Sequence, residues 1–200
     1  MNDSQAVHQQ GEQGVTLEPR QLRSCLSRFV TGVAVVSYVV DDEPRGVTVN
    51  SFTSVSMDPP LILVSLARSA KAVDPLSTVP FTINVLKASQ FDIALQFAGQ
   101  PRPGLSVRWS EAEDGLAPTI PGALATFRCL PWHAYDGGDH VLQIGKVVQA
   151  EVSGDEEPLL FDRGRFAMVG LSIFDNPRVL ETDPIVGGGI IRSQLVHHLA

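Results

Sequence analysis

The sequence predicts a mainly β domain with inserted helices, its antiparallel sheet closed into a barrel. Three observations carry this. Strand-like segments come in runs instead of alternating strictly with helices, which is the order of an antiparallel barrel and not of a doubly wound α/β sheet. No G-x-G-x-x-G follows a strand-like segment, so a Rossmann-type nucleotide site is unsupported. A content of 44% hydrophobic and 18% charged residues over 200 positions is globular and large enough for a substantial core.

Residues 1–15, beginning MNDSQAVHQQGEQG, read as a disordered leader without the basic start or apolar stretch of a signal peptide. Helical spacing then predicts a helix over Thr16–Val30. Leu22, Cys25, Leu26 and Phe29 recur at three and four residues, and Arg20, Arg23 and Arg28 mark the wetter side. Pro19 is acceptable in the first turn, and Gly32 ends the segment. Val33–Val40 is a β-branched strand, turned by Asp41–Gly46 into a strand that runs on from Gly46. Leu61–Ala67 is a nearly continuous apolar strand, followed by RSAKAVDPLS as the opening of a short helix. Phe81–Leu86 is another strand. Ser89–Gly99 is the second good helix, with Ser89 and Asp92 as an S-x-x-D cap and Phe91, Ala94, Leu95 and Ala98 as its stripe. Three strand-rich stretches close the domain: Ala123–Tyr135, His140–Val152 and Pro158–Gly170. The domain is thus expected over 16–170. Pro177, Pro184 and Gly187-Gly188-Gly189 break the remaining 171–200, which ends in the short amphipathic IIRSQLVHHLA.

Composition excludes several classes of function. A net charge of −7 argues against nucleic acid or an anionic membrane as the main partner, since both reward clustered Lys and Arg. No apolar run approaches the roughly 20 residues that span a bilayer. Cys25 and Cys129 make no disulfide framework and are expected as small buried hydrophobes. A cytoplasmic location follows by default. His8, His133, His140, His197 and His198 lack cysteine or carboxylate partners at ligand spacing, so no metal site is expected.

The most informative stretch is GVTVNSFTSVSMDPP, from Gly46 to Pro60. Its apolar positions Val47, Val49, Phe52 and Val55 are set among Thr48, Asn50, Ser51, Thr53, Ser54 and Ser56. The polar side is hydroxyl and amide, with no Lys, Arg or Glu. Short uncharged donors and acceptors suit a surface that meets something flat, polar-edged and partly buried.

This run resembles the G-x-T-x-N-S-F-x-S-V-S-x-D-P-P signature of the short-chain flavin reductases. Three further landmarks follow in the family's order: LVSLARSAK after the double proline, GGDH at Gly137–His140, and PLLFDRGRF. The resemblance covers about Leu22 to Gly170. It implies an FMN-binding split β-barrel, an antiparallel Greek-key barrel that binds flavin at a homodimer interface.

The resemblance also implies roles for residues. Thr48, Asn50 and Ser51 are expected to contact the flavin through side chains and adjacent amides, with the Val49 backbone matching the ring's carbonyl and imide edge. Ser65, Leu66 and Ala67, at the end of the next strand, are expected to take part in cofactor binding. Ser69, Ala70 and Lys71 are expected to open a helix whose free N–H groups receive the flavin phosphate. Lys71 departs from the family's small hydroxyl residue, and either strengthens the phosphate contact or faces solvent. His140 is expected beside the nicotinamide, orienting it and stabilising charge on the reduced flavin, with Asp139 capping the turn or fixing His140. Phe97 either approaches the cofactor or packs its helix on the barrel. Phe166 is expected to flank the ring system, and Arg165 either meets a phosphate or lies on the surface. Trp109 and Trp132 are read as packing residues.

The implied function is an NAD(P)H:flavin oxidoreductase that supplies reduced flavin to a monooxygenase component. The protein contributes geometry, electrostatics and exclusion of water, while the cofactors carry the chemistry. FMN against FAD and NADH against NADPH stay open. The alternative is a flavin-binding protein that retains its flavin as an electron carrier or for another reaction. A non-catalytic β-barrel interaction module fits the composition but not the landmarks. The segment 171–200 is either disordered or folds over the partner subunit at the nucleotide entrance.

Overall fold

The computed structural model describes residues 17–110 and 115–170. The leader and the segment 171–200 lie outside the described residues, as does the expected helix start at Thr16. Strands β2 (Ala34–Val40), β3 (Glu43–Val49), β4 (Thr53–Met57), β5 (Pro60–Ala67), β6 (Phe81–Val85), β7 (Ala125–Gly137) and β8 (His140–Val152) form one seven-stranded sheet, in the order β3-β2-β6-β7-β8-β5-β4. Every pairing in it is antiparallel. Its two edge strands are joined only by residues 50–52, and β3 reaches β5, so the ends of the sheet return to each other. The expected barrel is formed. A second, three-stranded sheet sets β1 (Thr31–Gly32), β9 (Leu160–Asp162) and β10 (Arg165–Ala167) against its rim, in the order β1-β9-β10.

Both faces of β2 are covered, which is why AVVSYVV lacks hydrophobic alternation. Ala34, Val36 and Tyr38 face the barrel interior with Val49, Ile62, Val64, Leu66, Phe81, Ile83 and Cys129. Val33 and Val35 face outward onto Leu86, Ala94, Ile120 and Leu159. Burial pushes the Cys129 thiol up to about 12, as expected of a small buried hydrophobe. The outer layer is pinned by buried polar groups. Asn84 accepts from the Ile120 N–H at 2.7 Å, Ser37 donates to the Pro118 carbonyl at 2.6 Å, and Thr82 to that of Ala117 at 2.9 Å.

Four expectations are corrected. The first helix, α1, spans only Pro19–Leu26 and buries no residue. Its stripe faces solvent, with Leu26 64% exposed and Cys25 exposed rather than buried. The outer face of β2 is covered instead by α3 (Phe91–Phe97) and the loop at Ile120. The signature run is two strands and not one, because β3 ends at Val49 and the chain turns a corner at 50–52 before β4. Pairing of β3 with β2 already begins at Glu43, so the turn narrows to Asp41-Asp42, both with positive φ. The second helix, α2, holds only Val73–Leu76, with Ala72 and not Ser69 at its N-cap.

The fourth correction is the cap of α3 (Phe91–Phe97). A single 3₁₀ turn at Ala88–Gln90 precedes α3. There the Lys87 N–H donates to the Gln90 side chain at 3.2 Å, and no Ser89–Asp92 cap forms. Asp92 pairs instead with Arg102. No helix among the described residues is long and apolar enough to cross a membrane, and no cluster of metal-ligating side chains occurs among them.

Candidate functional site

The corner after β3 is where the predicted residues converge. Thr48, Val49 and Asn50 line a cavity of about 170 Å³ with Phe166 from β10. Val33, Ala98 and Phe161 complete its wall. Phe161 and Phe166 are cross-strand partners in the β9–β10 hairpin, their rings 5.4 Å apart edge to face. Phe166 also meets Phe91 of α3 edge-on, at 5.1 Å. The cavity thus has an uncharged polar rim and an aromatic wall held from two sides. Sequence reasoning missed Val33, Ala98 and Phe161. For Phe161 a signal existed: a tight turn at Arg163-Gly164 sets residues 161 and 166 opposite each other.

The three polar side chains of the run do different work. Thr48 donates its hydroxyl to the Ala94 carbonyl at 2.7 Å, tying β3 to α3. Ser51 donates to the Ser65 carbonyl at 2.8 Å and accepts the Ser65 N–H at 3.0 Å. It therefore continues, through a side chain, the pairing that β4 gives β5 further along. Asn50 is exposed, and no hydrogen bond engages its amide among the described residues. Of the three, Asn50 keeps its full donor and acceptor set for a ligand.

Ser51 leads to the second group. Ser65, Leu66 and Ala67 pair with Leu142, Val141 and His140 of β8, so LVSLARSAK and GGDH lie side by side. Leu66 points into the barrel core and can offer a ligand only backbone. His140 is half-buried, and its Nδ1 lies 2.7 Å from the Asp139 carboxylate. The His140 hydrogen bond and charge, with Arg23 of α1 adding, hold the Asp139 carboxyl below the usual carboxylate range. Asp139 thus fixes His140, while Asp136 caps the turn by accepting the Gly138 N–H at 2.9 Å. The Gly138 N–H bond, then the Arg68 charge, lower the Asp136 carboxyl as well.

Other candidates are not brought to the cavity. Ser69, Ala70 and Lys71 lie in a turn before α2, where the Ala70 N–H is already given to the Ala67 carbonyl at 2.8 Å. No helix opens at Ser69, because α2 begins at Val73, and Lys71 is exposed. Phe97 packs on Gly46 and, at 5.5 Å, on Trp109, so Ala98 rather than Phe97 reaches the cavity. Arg165 is exposed and leaves the face of β10 opposite to Phe166. Trp132 is not a packing residue: it is 42% exposed, under the Lys146 ammonium.

The donor set fits a flat, polar-edged ring. Free amide and backbone groups stand on one side, aromatic carbon on the other, with no charged side chain in the cavity wall.

Comparison with known proteins agrees with this geometry. The flavin reductase like domain matches residues 26–170. An FMN reductase (NADH) of Agrobacterium fabrum is 40% identical over 148 residues, covering 74% of this chain and 84% of that one. The reductase component of a 4-hydroxyphenylacetate 3-monooxygenase from Thermus thermophilus is 35% identical over 144 residues, covering 71% and 91%. Among solved structures, an NADH:FAD oxidoreductase of Streptomyces globisporus, in complex with NAD and FAD fragments, superposes with a TM-score of 0.71. It is 36% identical, over 80% of this chain and all of that one.

Proposed function

The chain belongs to the flavin reductase-like family, and from that premise we propose that it is an NAD(P)H:flavin oxidoreductase that hands reduced FMN or FAD to a separate monooxygenase. The observation that carries this reading is the meeting of an uncharged edge, Thr48-Val49-Asn50, with the Phe166 ring in one cavity, continued through Ser51 and Ser65 to His140. Bound there, a flavin supplies the hydride-accepting ring. The Asn50 amide and neighbouring backbone hold its polar edge, and Phe161 and Phe166 exclude water from one side. His140, oriented by Asp139, steers the nicotinamide. The Ser69 hydroxyl and the Lys71 ammonium are the candidates for a phosphate contact. NADH is the donor named for two of the relatives, and we place the enzyme in the cytoplasm, where the nicotinamide pool is held.

We further propose a homodimer with α1 in its interface. Support comes from the exposed Leu22, Leu26 and Phe29 and from the position of the helix. The Arg163 N–H of the Phe166 hairpin donates to the Ser27 carbonyl at 3.3 Å, while the Arg23 charge reaches Asp139. A second copy seated on α1 would therefore border the cavity and the His140 turn together.

Anaerobic mixing of the protein with flavin and NADH tests the activity. Catalytic bleaching of the visible flavin band is expected, and flavin that stays oxidised would overturn the reading. Flavin that reduces but never exchanges from the protein would instead favour a retained-flavin carrier. Asn50→Ala should weaken flavin binding by about tenfold, the worth of one lost hydrogen bond, without a change in melting temperature.

A further inference from the structure

Resting on the reading of His140 as the residue that steers the nicotinamide, we infer that Arg68 is the positioning residue for His140, clamping the turn on which it stands. Beyond strand pairing, which on the β5 side ends at Ala67 and His140, the end of the β7–β8 arm has no apolar anchor. Residues 132–139 are all exposed, and the tip is Gly137-Gly138, with Gly138 at φ +80°. No apolar side chain at the tip packs into either core cluster. Arg68 supplies the missing anchor from the end of β5. Its backbone N–H donates to the Asp139 carbonyl at 3.0 Å, and its Nε to the Gly138 carbonyl at 2.6 Å. Its Nη2 pairs with the carboxylate of Asp136.

One side chain thus holds two points of the turn, while its own backbone holds a third. The planar guanidinium suits this because its N–H groups leave in a fixed fork, which a lysine ammonium cannot copy. The constraint then passes outward. With the Asp139 backbone held, its carboxylate is aimed at the His140 ring, 2.7 Å away. Ala67, next to Arg68, is the cross-strand partner of His140, so clamp and imidazole are neighbours on adjacent strands. The Arg68–Asp136 pair is 47% and 81% exposed, and exposed ion pairs contribute little to folding. Its consequence is therefore expected in the ternary arrangement and not in stability.

The test uses steady-state and single-turnover kinetics of the full-length enzyme with flavin and NADH. Arg68→Ala should raise the nicotinamide KM about tenfold and slow hydride transfer, because a small misplacement of the steering group is costly. The flavin Kd should stay within about twofold, and the melting temperature should be nearly unchanged. In a His140→Ala background, Arg68→Ala should have no further effect, since the two act as one unit. Asp136→Asn removes the ion pair without removing the turn cap, and should show a weaker effect of the same kind should Arg68→Ala fold poorly. Parental nicotinamide kinetics in both variants would overturn the clamp. So would a further rise in KM in the His140→Ala background, which would mean that Arg68 touches the nucleotide directly. A His140→Ala enzyme with parental kinetics would instead remove the reading of His140 on which the clamp rests.

Discussion

Ser51 shows how one hydroxyl can serve the fold where the sequence suggests a ligand contact. Its oxygen both donates to and accepts from the backbone of Ser65, so it stands in for a strand partner at the corner where β3 gives way to β4. Ser51→Ala would leave a half-buried N–H and carbonyl without their partner, which costs about 1–3 kcal/mol. A lowered denaturation midpoint with an unchanged denaturant slope is the expected result, and flavin affinity should fall as the corner at Asn50 loosens. A midpoint equal to the parent would mean that water replaces the hydroxyl. Thr48 is engaged in the same way by Ala94, which leaves Asn50 as the side chain with no structural duty. Hydroxyls and amides look alike in a sequence motif; only their partners separate them.

At the scale of elements, α3 and β3 fix the depth of the cavity through one close approach. A Cβ built on Gly46 would lie 2.8 Å from the Phe97 ring, which is itself packed on Trp109. Gly46→Ala must therefore push α3 away from β3 and stretch the Thr48–Ala94 hydrogen bond. A destabilisation of about 1–3 kcal/mol is expected from such overpacking, with weaker flavin binding. Phe97→Leu in the same chain should restore part of both. No recovery in the double variant would show that the strain lies elsewhere. The element that sequence reasoning misjudged most is α2. RSAKAVDPLS carries helix-opening chemistry, yet Ser69–Lys71 form a turn, in which the Ala70 N–H turns back to the Ala67 carbonyl, and the helix begins only at Val73.

For the whole molecule, the unresolved balance lies in α1. An amphipathic helix with its apolar stripe in water is costly, and a second copy of the chain would relieve that cost. Light scattering should give twice the 21.5 kDa subunit mass. Leu26→Glu with Phe29→Glu should shift the protein toward a monomer and lower the rate of flavin reduction, since the end of α1 is tied through Ser27 to the Phe166 hairpin. A double variant that stays dimeric would place the interface elsewhere.

The sequence by itself determined the barrel, because runs of β-branched strands, hairpin turns and covered strand faces are local signals that all favour the same architecture. It also determined the chemistry of the Gly46–Pro60 run, through the absence of charge on its polar side. The meeting of Asn50 with Phe166, more than a hundred residues apart, was decided only by tertiary structure. So were the outward turn of Arg165, the packing of Phe97 on Gly46, and the hold of Arg68 on the His140 turn. Each of these depends on which strand lies beside which and on the register between them. Side-chain facing alternates with every residue along a strand, so one step of register separates a ligand contact from a surface residue.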